Sequence, residues 1–364
     1  MTLHPWLCCA ALMAGGCGGL AQADASSARA DERVTCTATS VTELRVCLDS
    51  LGDQGGRVAL KAGRYVLSRH VQIRYGGIDV IGEGAGKTVL QLEEGACQAA
   101  IVIGSLALEP GAVPPVQNVS IRGLAIDGNK SGNACCERYT DPALAHLYVN
   151  GISVFNARNV TIEDVTIENA RSGGIVTDRG VYELAVRGVT IRGSAWDGIA
   201  LYQTHQSRIS DSLLQDNAAA GISLDWHADG NVFTHNLILD NGAGETGLHT
   251  QRCAAIDRAR ASPGIFSAGC SDNVFVDNAI VGSGGNGVQL GLGSDKRSGS
   301  SRNYLGDNVI RDSAEFGVWV VGDASLDNLA VGTRNARNRL GPILFTDTHG
   351  PPAEHYLDLV GDRE

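Results

Sequence analysis

The chain has 364 residues, 47 of them glycine, with 43% hydrophobic residues, only 5% aromatic residues and a net charge of −11. This balance excludes a nucleic-acid binder, which needs a basic stripe to meet phosphates, and points to an aliphatic core. An acidic protein can still carry a locally basic cleft, so an anionic polymer remains a permitted partner.

Residues 1–23 read as a secretory signal, with an apolar stretch through Leu7, Ala10, Leu12 and Ala14 and the small-residue site Ala21-Gln22-Ala23. A secreted or periplasmic protein is expected, and no span of about 20 apolar residues follows that would cross a membrane. Losing the signal removes Cys8, Cys9 and Cys17 from the ten cysteines. In an oxidising compartment Cys36 with Cys47, and Cys253 with Cys270, are plausible short-loop pairs, and Cys97, Cys135 and Cys136 then leave one over. No CxxC spacing supports a zinc site.

Residues 24–55 read as an N-terminal cap. Ser40-Val41-Thr42-Glu43 has capping-box spacing and opens an amphipathic run of Leu44, Val46, Leu48 and Leu51, a helix suited to plugging the open end of a core. Strand patterns begin at residue 56, with Val71-Gln72-Ile73 and Ile78-Asp79-Val80-Ile81 among the first. Gly82-Glu83-Gly84-Ala85-Gly86-Lys87-Thr88 invites a phosphate-loop reading, but three residues separate Gly82 from Gly86 where that loop needs four. With no helical pattern after it, the segment is a corner between strands.

From Val165 an apolar-turn-apolar unit returns every 24 residues, at Val189, Leu213 and Leu237. Four places on stand Asn169, Asn217, Asn241, Ser283 and Ser313, interrupted by Gly193, a column expected to stack into a polar ladder. A second strand class is led by glycine, at Gly151, Gly174, Gly198, Gly221, Gly247, Gly287 and Gly317; a third starts near Asn159, Ser207, Asn231, Asn273 and Asn303. Units this short cannot bury an apolar face alone and must stack. β-Branched alternation punctuated by Gly, Asn and Asp, without leucine-rich or helical periodicity, gives an all-β parallel β-helix, one elongated domain over residues 56–345 with a tail at 346–364. Two insertions interrupt the period: 41 residues separate Leu124 from Val165, a segment holding Cys135, Cys136 and His146, and 42 separate Leu237 from Ala279, a segment holding Arg252, Cys253, Asp257, Arg258, Arg260 and Cys270. Long loops on a rigid scaffold often carry binding function.

In the glycine-led strands, places one and three after the glycine are aliphatic and point inward, so places two and four point to solvent. Place four reads Asp178, Tyr202 and Asp225 on successive rungs, and His249 stands at place two of the next, Gly247-Leu248. Arg179, His205, His227 and Arg252 lie just beyond. Any one of these residues is ordinary on an exposed face; together on adjacent rungs, about 15 Å at 4.8 Å per rung, they form the candidate site.

The repeat, the plug and the run Ile78 to Gly86 resemble the pectin-lyase-like superfamily of right-handed parallel β-helices. That superfamily includes polysaccharide lyases, glycoside hydrolases, alginate epimerases and viral tailspikes. Asp225-Trp226-His227 is similar to the Asp-Pro-His of mannuronan C-5 epimerases, although Trp226 replaces Pro and Ile222 stands where a Tyr is expected. Tyr202, one rung earlier, offers a phenol in comparable space. The polygalacturonase pattern is absent.

The resemblance implies an acidic, uronate-containing polysaccharide as partner and abstraction of the C-5 proton. His227 would be the base, Tyr202 the acid and Asp225 the group orienting His227, with Arg179 or Arg252 neutralising the sugar carboxylate and His205 and His249 assisting binding. Elimination makes a lyase, and return of the proton on the other face an epimerase. The alternatives are an inverting hydrolase using Asp178 and Asp225, about 9.6 Å apart at two rungs, with Asp197 a further candidate or merely a turn residue, and a non-catalytic glycan-binding β-helix. No cofactor is required, calcium is compatible, and a monomer is expected.

Overall fold

The computed structural model describes residues 33–105, 113–133, 149–244, 261–321 and 325–346, and the backbone of 357–360. The signal segment, Cys135, Cys136, His146, His249, Arg252 and Cys253 lie outside the described residues. Among the described residues short strands stack in two continuous sheets, one of 21 strands and one of ten, and each strand pairs in parallel with its counterpart one coil away. The ten-stranded sheet is built from Val71–Ile73, Ile101–Gly104, Ile152–Phe155, Ile175–Asp178, Ile199–Tyr202, Ile222–Asp225, Ile265–Ala268, Val288–Gly291, Phe316–Val321 and Gly341–Thr346. This is a parallel β-helix.

Inside it, identical positions of successive coils form columns. Ile167, Ile191, Leu214, Ile238, Ile280 and Ile310 are register partners in sequence, each buried. Each such side chain contributes roughly 1.5–3 kcal/mol of burial free energy, which an isolated coil could not collect.

The register corrects the 24-residue alignment by one position. Thr190, not Val189, pairs with Leu213, so this coil is a residue shorter. Leu214 and Ile238 fill the core while Leu213 and Leu237 turn outward. The polar column therefore runs Ser194, Asn217, Asn241; Gly193 does not interrupt it and Asn169 is not in it. Ser194 N–H donates to Asn217 Oδ1 at 3.0 Å and Asn217 N–H to Asn241 Oδ1 at 3.1 Å.

Two further ladders accompany it. Ser207, Asn231, Asn273, Asn303 and Asn328 form one, and Ser212, Asn236, Asn278 and Asn308 the other. Each asparagine satisfies a buried backbone N–H and a carbonyl that the sharp corner removes from the sheet. The residue before it is left-handed, with φ 54° at Asp211, 56° at His235 and 54° at Asp277, conformations that Asp and Asn tolerate best. At the Gly188 corner φ is 60° and a Cβ would stand 2.8 Å from Asp164 Oδ1, so a larger residue there would have to displace that carboxylate.

Helix Val41–Leu51 caps one end of the core. Ser40 is its N-cap, accepting from Glu43 N–H at 3.2 Å, while Glu43 reaches back to Thr39 N–H at 2.7 Å. Leu44, Cys47, Leu48 and Leu51 face the core, and Val46, expected inside, is 60% exposed. Cys47 takes the inward place because it bonds Cys36, with Cα atoms 5.5 Å apart. Cys97 is also disulfide-bonded. The expected pairing of Cys270 is not formed: it is a free, buried thiol whose Sγ lies 3.5 Å from Ala268 O inside the core, and burial pushes its pKa up. Among the described residues no helix is long and apolar enough to cross a membrane.

Candidate active site

The ten-stranded sheet ends each rung at a corner unlike the ladder corners. Left-handed residues stand there too, Asn156 at φ 45°, Arg179 at 66° and Gln203 at 47°, but no asparagine follows them. At the Ile222–Asp225 strand two successive residues are left-handed, Trp226 at 51° and His227 at 62°. A bulky residue in this region costs on the order of 1–3 kcal/mol and persists only where its surroundings hold it.

Three contacts hold Trp226. Its backbone N–H donates to Asp225 Oδ1 at 2.7 Å, its indole Nε1–H donates to Ser294 Oγ at 2.9 Å, and its ring lies 5.4 Å from that of Tyr202. Tyr202 and Asp225 are direct register partners, so phenol, carboxylate and imidazole leave the sheet at one end of adjacent rungs. Asp225, Trp226 and His227 border a cleft of about 200 Å³ that Gly293, Ser294 and Asp295 also line, and Tyr202 adjoins it through the ring of Trp226.

That second wall is a loop closed by a bridge between Leu292 and Gly299, which the sequence reading did not identify. Its signal was present, because 30 residues separate Asn273 from Asn303 where the Ser207–Asn231 coil uses 24 and the Asn303–Asn328 coil 25. Asp295 accepts from Arg297 N–H, Ser298 N–H and Ser298 Oγ, and these bonds hold its carboxyl down to about 2. Asp225 is shifted the other way: burial raises its pKa, opposed by hydrogen bonds from the Trp226 and Ser294 backbones. Burial, and then the charges of Asp197, Asp225 and Asp178, raise the Tyr202 pKa, so the phenol keeps its proton.

The remaining expected site residues are placed as follows. Asp178 lies on the cluster's face but is 1% exposed; its Oδ1 accepts from Arg179 N–H at 2.7 Å and its Oδ2 lies 3.9 Å from Arg179 Nε. Burial raises its pKa. His205 is on the 21-stranded sheet, its ring 5.0 Å from that of Tyr182, which also carries Arg158. The next rung after Ile222–Asp225 is Ile265–Ala268, led by Gly264 rather than Gly247, so the rung column receives Phe266 and Ala268 where His249 was expected. The column is also less exposed than alternation predicted, with Ser153, Phe155, Val176, Ala200 and Ser223 buried. Asp197 is more than a turn residue: it accepts from Ala220 N–H and Ser223 Oγ, both at 2.9 Å, and burial raises its pKa to about 7.

A family model for the right-handed β-helix region matches residues 117–296. The chain has the right-handed β-helix fold. No curated protein sequence matches it, but solved structures do. ORF18 of Geobacillus virus E2 superposes on 88% of this chain with TM-score 0.65 and 12% identity, and the match spans 58% of the viral chain. The match to an alginate lyase from Paenibacillus sp. covers 86% of this chain and 98% of the lyase chain, with TM-score 0.62 and 16% identity. The A-module of mannuronan C-5 epimerase AlgE4 from Azotobacter vinelandii covers 91% and 98%, with TM-score 0.50 and 16% identity. At such identities these likenesses establish the fold of the β-helix. They choose no activity for it.

Proposed function

We propose that the β-helix is a secreted enzyme that binds an acidic, uronate-containing polysaccharide in the Asp225–Ser294 cleft and abstracts the C-5 proton, acting as a lyase or as the related epimerase. The observation that carries this reading is the Tyr202–Asp225 register pair, with Trp226 packed on Tyr202 and His227 next in sequence. His227, exposed at the cleft, is the base. Tyr202, held protonated, is the acid that delivers a proton to the leaving oxygen or to the opposite face of C-5. Asp225, whose carboxylate interacts with His227, orients the imidazole and stabilises its charged form once it has taken the C-5 proton. Lys296 and Arg297 are exposed on the loop that walls the cleft and supply positive charge at its mouth. Side chains carry each step, and activity retained in EDTA is the expected result. The Cys36–Cys47 disulfide supports export to an oxidising compartment, and the enzyme is proposed to act as a monomer.

A hydrolase reading rests on a different pair from the one expected. Asp178 is buried, whereas Asp225 and Asp295 face each other across the cleft with pKa values shifted in opposite directions, the separation of roles that acid and base need. The discriminating experiment incubates the protein with alginate and polygalacturonate and follows absorbance near 235 nm, reducing ends and the uronate ratio together. New absorbance identifies the lyase and an altered uronate ratio alone the epimerase. Reducing ends without absorbance would replace this reading with the hydrolase, and binding with an unchanged polymer would leave only a glycan-binding role.

A further inference from the structure

The outer face of the ten-stranded sheet is closed on one side of the cleft and open on the other. At the second place of each strand, one register-matched column runs Val102, Ser153, Val176, Ala200, Ser223, Phe266, Gln289, Trp319 and Leu344. Its first five members are buried, at 6, 0, 1, 2 and 7% exposure. Its last four are partly exposed. The fourth-place column opens two rungs earlier and only locally: Phe155 and Asp178 are buried, Tyr202 and Asp225 reach the surface, and Ala268 is buried again.

A polymer cut or converted in its interior must lie on accessible surface to both sides of the reacting sugar. Toward the Asp178 rung the described strand face offers none, because Val176 and Asp178 are buried one rung beyond Tyr202, and only the corner residue Arg179 is partly exposed. Toward the other end, Phe266, Gln289, Trp319 and Leu344 span four rungs, about 14 Å at 4.8 Å per rung. Their chemistry suits a sugar chain: apolar faces for C–H surfaces at Phe266 and Trp319, and an amide at Gln289 for hydroxyl groups. The cleft itself has room for one sugar ring.

We infer that the polysaccharide enters by its end, with the terminal sugar in the cleft against the closed Asp178 rung and the following sugars laid along Phe266, Gln289 and Trp319, so that the enzyme is exo-acting. This rests on the uronate reading and adds to it the mode of attack and the subsites.

The test uses the full chain with a uronate octamer carrying a fluorescent label at one end, and reads the position of the first event. Cleavage that releases one short product from the outset, or inversion confined to the terminal residue, is the expected result. A ladder of intermediate sizes, or inversion of interior residues at the earliest times, overturns the exo assignment while leaving the uronate reading intact. No reaction with any uronate overturns both. Trp319→Leu, which keeps an apolar side chain on the strand, is expected to raise KM for the octamer roughly tenfold and to raise KM for the shortest substrate much less. An equal change at both lengths overturns the subsite placement.

Discussion

Two kinds of corner interrupt the coils of this molecule, and they use the same backbone conformation for different ends. In the 21-stranded sheet a left-handed residue such as Asp211, His235 or Asp277 is followed at once by a ladder residue, Ser212, Asn236 or Asn278. There the polar groups are consumed by the next coil. Beyond the Ile222–Asp225 strand, Trp226 and His227 are both left-handed and no ladder side chain follows. Their side chains and the neighbouring carboxylates face a cleft instead of each other's backbones. The fold thus separates polar residues that stabilise from polar residues left available for chemistry.

Substitutions can break this contrast. The largest effect is expected at the cleft: His227→Ala and Tyr202→Phe should each lower kcat about 100- to 10,000-fold with little change in Tm, read by steady-state turnover beside calorimetry. Asn236→Ala should do the reverse. Its side chain accepts from Ser212 N–H and donates to Ile209 O and Asn278 Oδ1, so its loss strands buried groups and should cost about 3 kcal/mol in denaturant unfolding, with kcat unaltered where the protein remains folded.

Asp197 lies between the two kinds. Its folded pKa of about 7 is above the ordinary carboxylate value of 3.8, so its favourable contribution is complete below about pH 4 and is lost as pH rises toward 7. Asp197→Asn should therefore gain stability relative to the parent across that window, by up to the order of 4 kcal/mol. Urea melts at several pH values read this directly; parallel pH profiles for the two proteins would show that Asp197 is ionised when folded. At the small end, Arg302→Ala breaks an exposed pair with Asp272 and should change stability by about 0.5 kcal/mol or less.

Much of this was legible in the sequence because it recurs. The aliphatic columns, the capping box at Ser40 and the asparagine ladder announce themselves by spacing, and Tyr202, Asp225 and His227 follow from counting places after a glycine. What spacing alone could not give was a register to the residue. The short coil at Thr190–Leu213 shifts the ladder by one, and the long insertion after Leu239 made Gly247 look like a rung that Gly264 actually leads. Burial was hidden for a related reason: alternation says which way Val176 and Asp178 point, but not whether another part of the chain covers them. The Ser294–Asp295 wall depends on a contact to Trp226 across 68 residues, which no local pattern encodes.

The most direct test of C-5 chemistry at this cleft is proton NMR of polyuronates incubated with the enzyme in deuterated water. The account predicts either the vinylic proton of an unsaturated terminal sugar or deuterium replacing the C-5 proton, each abolished in His227→Ala. New reducing ends on sugars that retain their C-5 proton would contradict it and transfer the catalytic roles to Asp225 and Asp295.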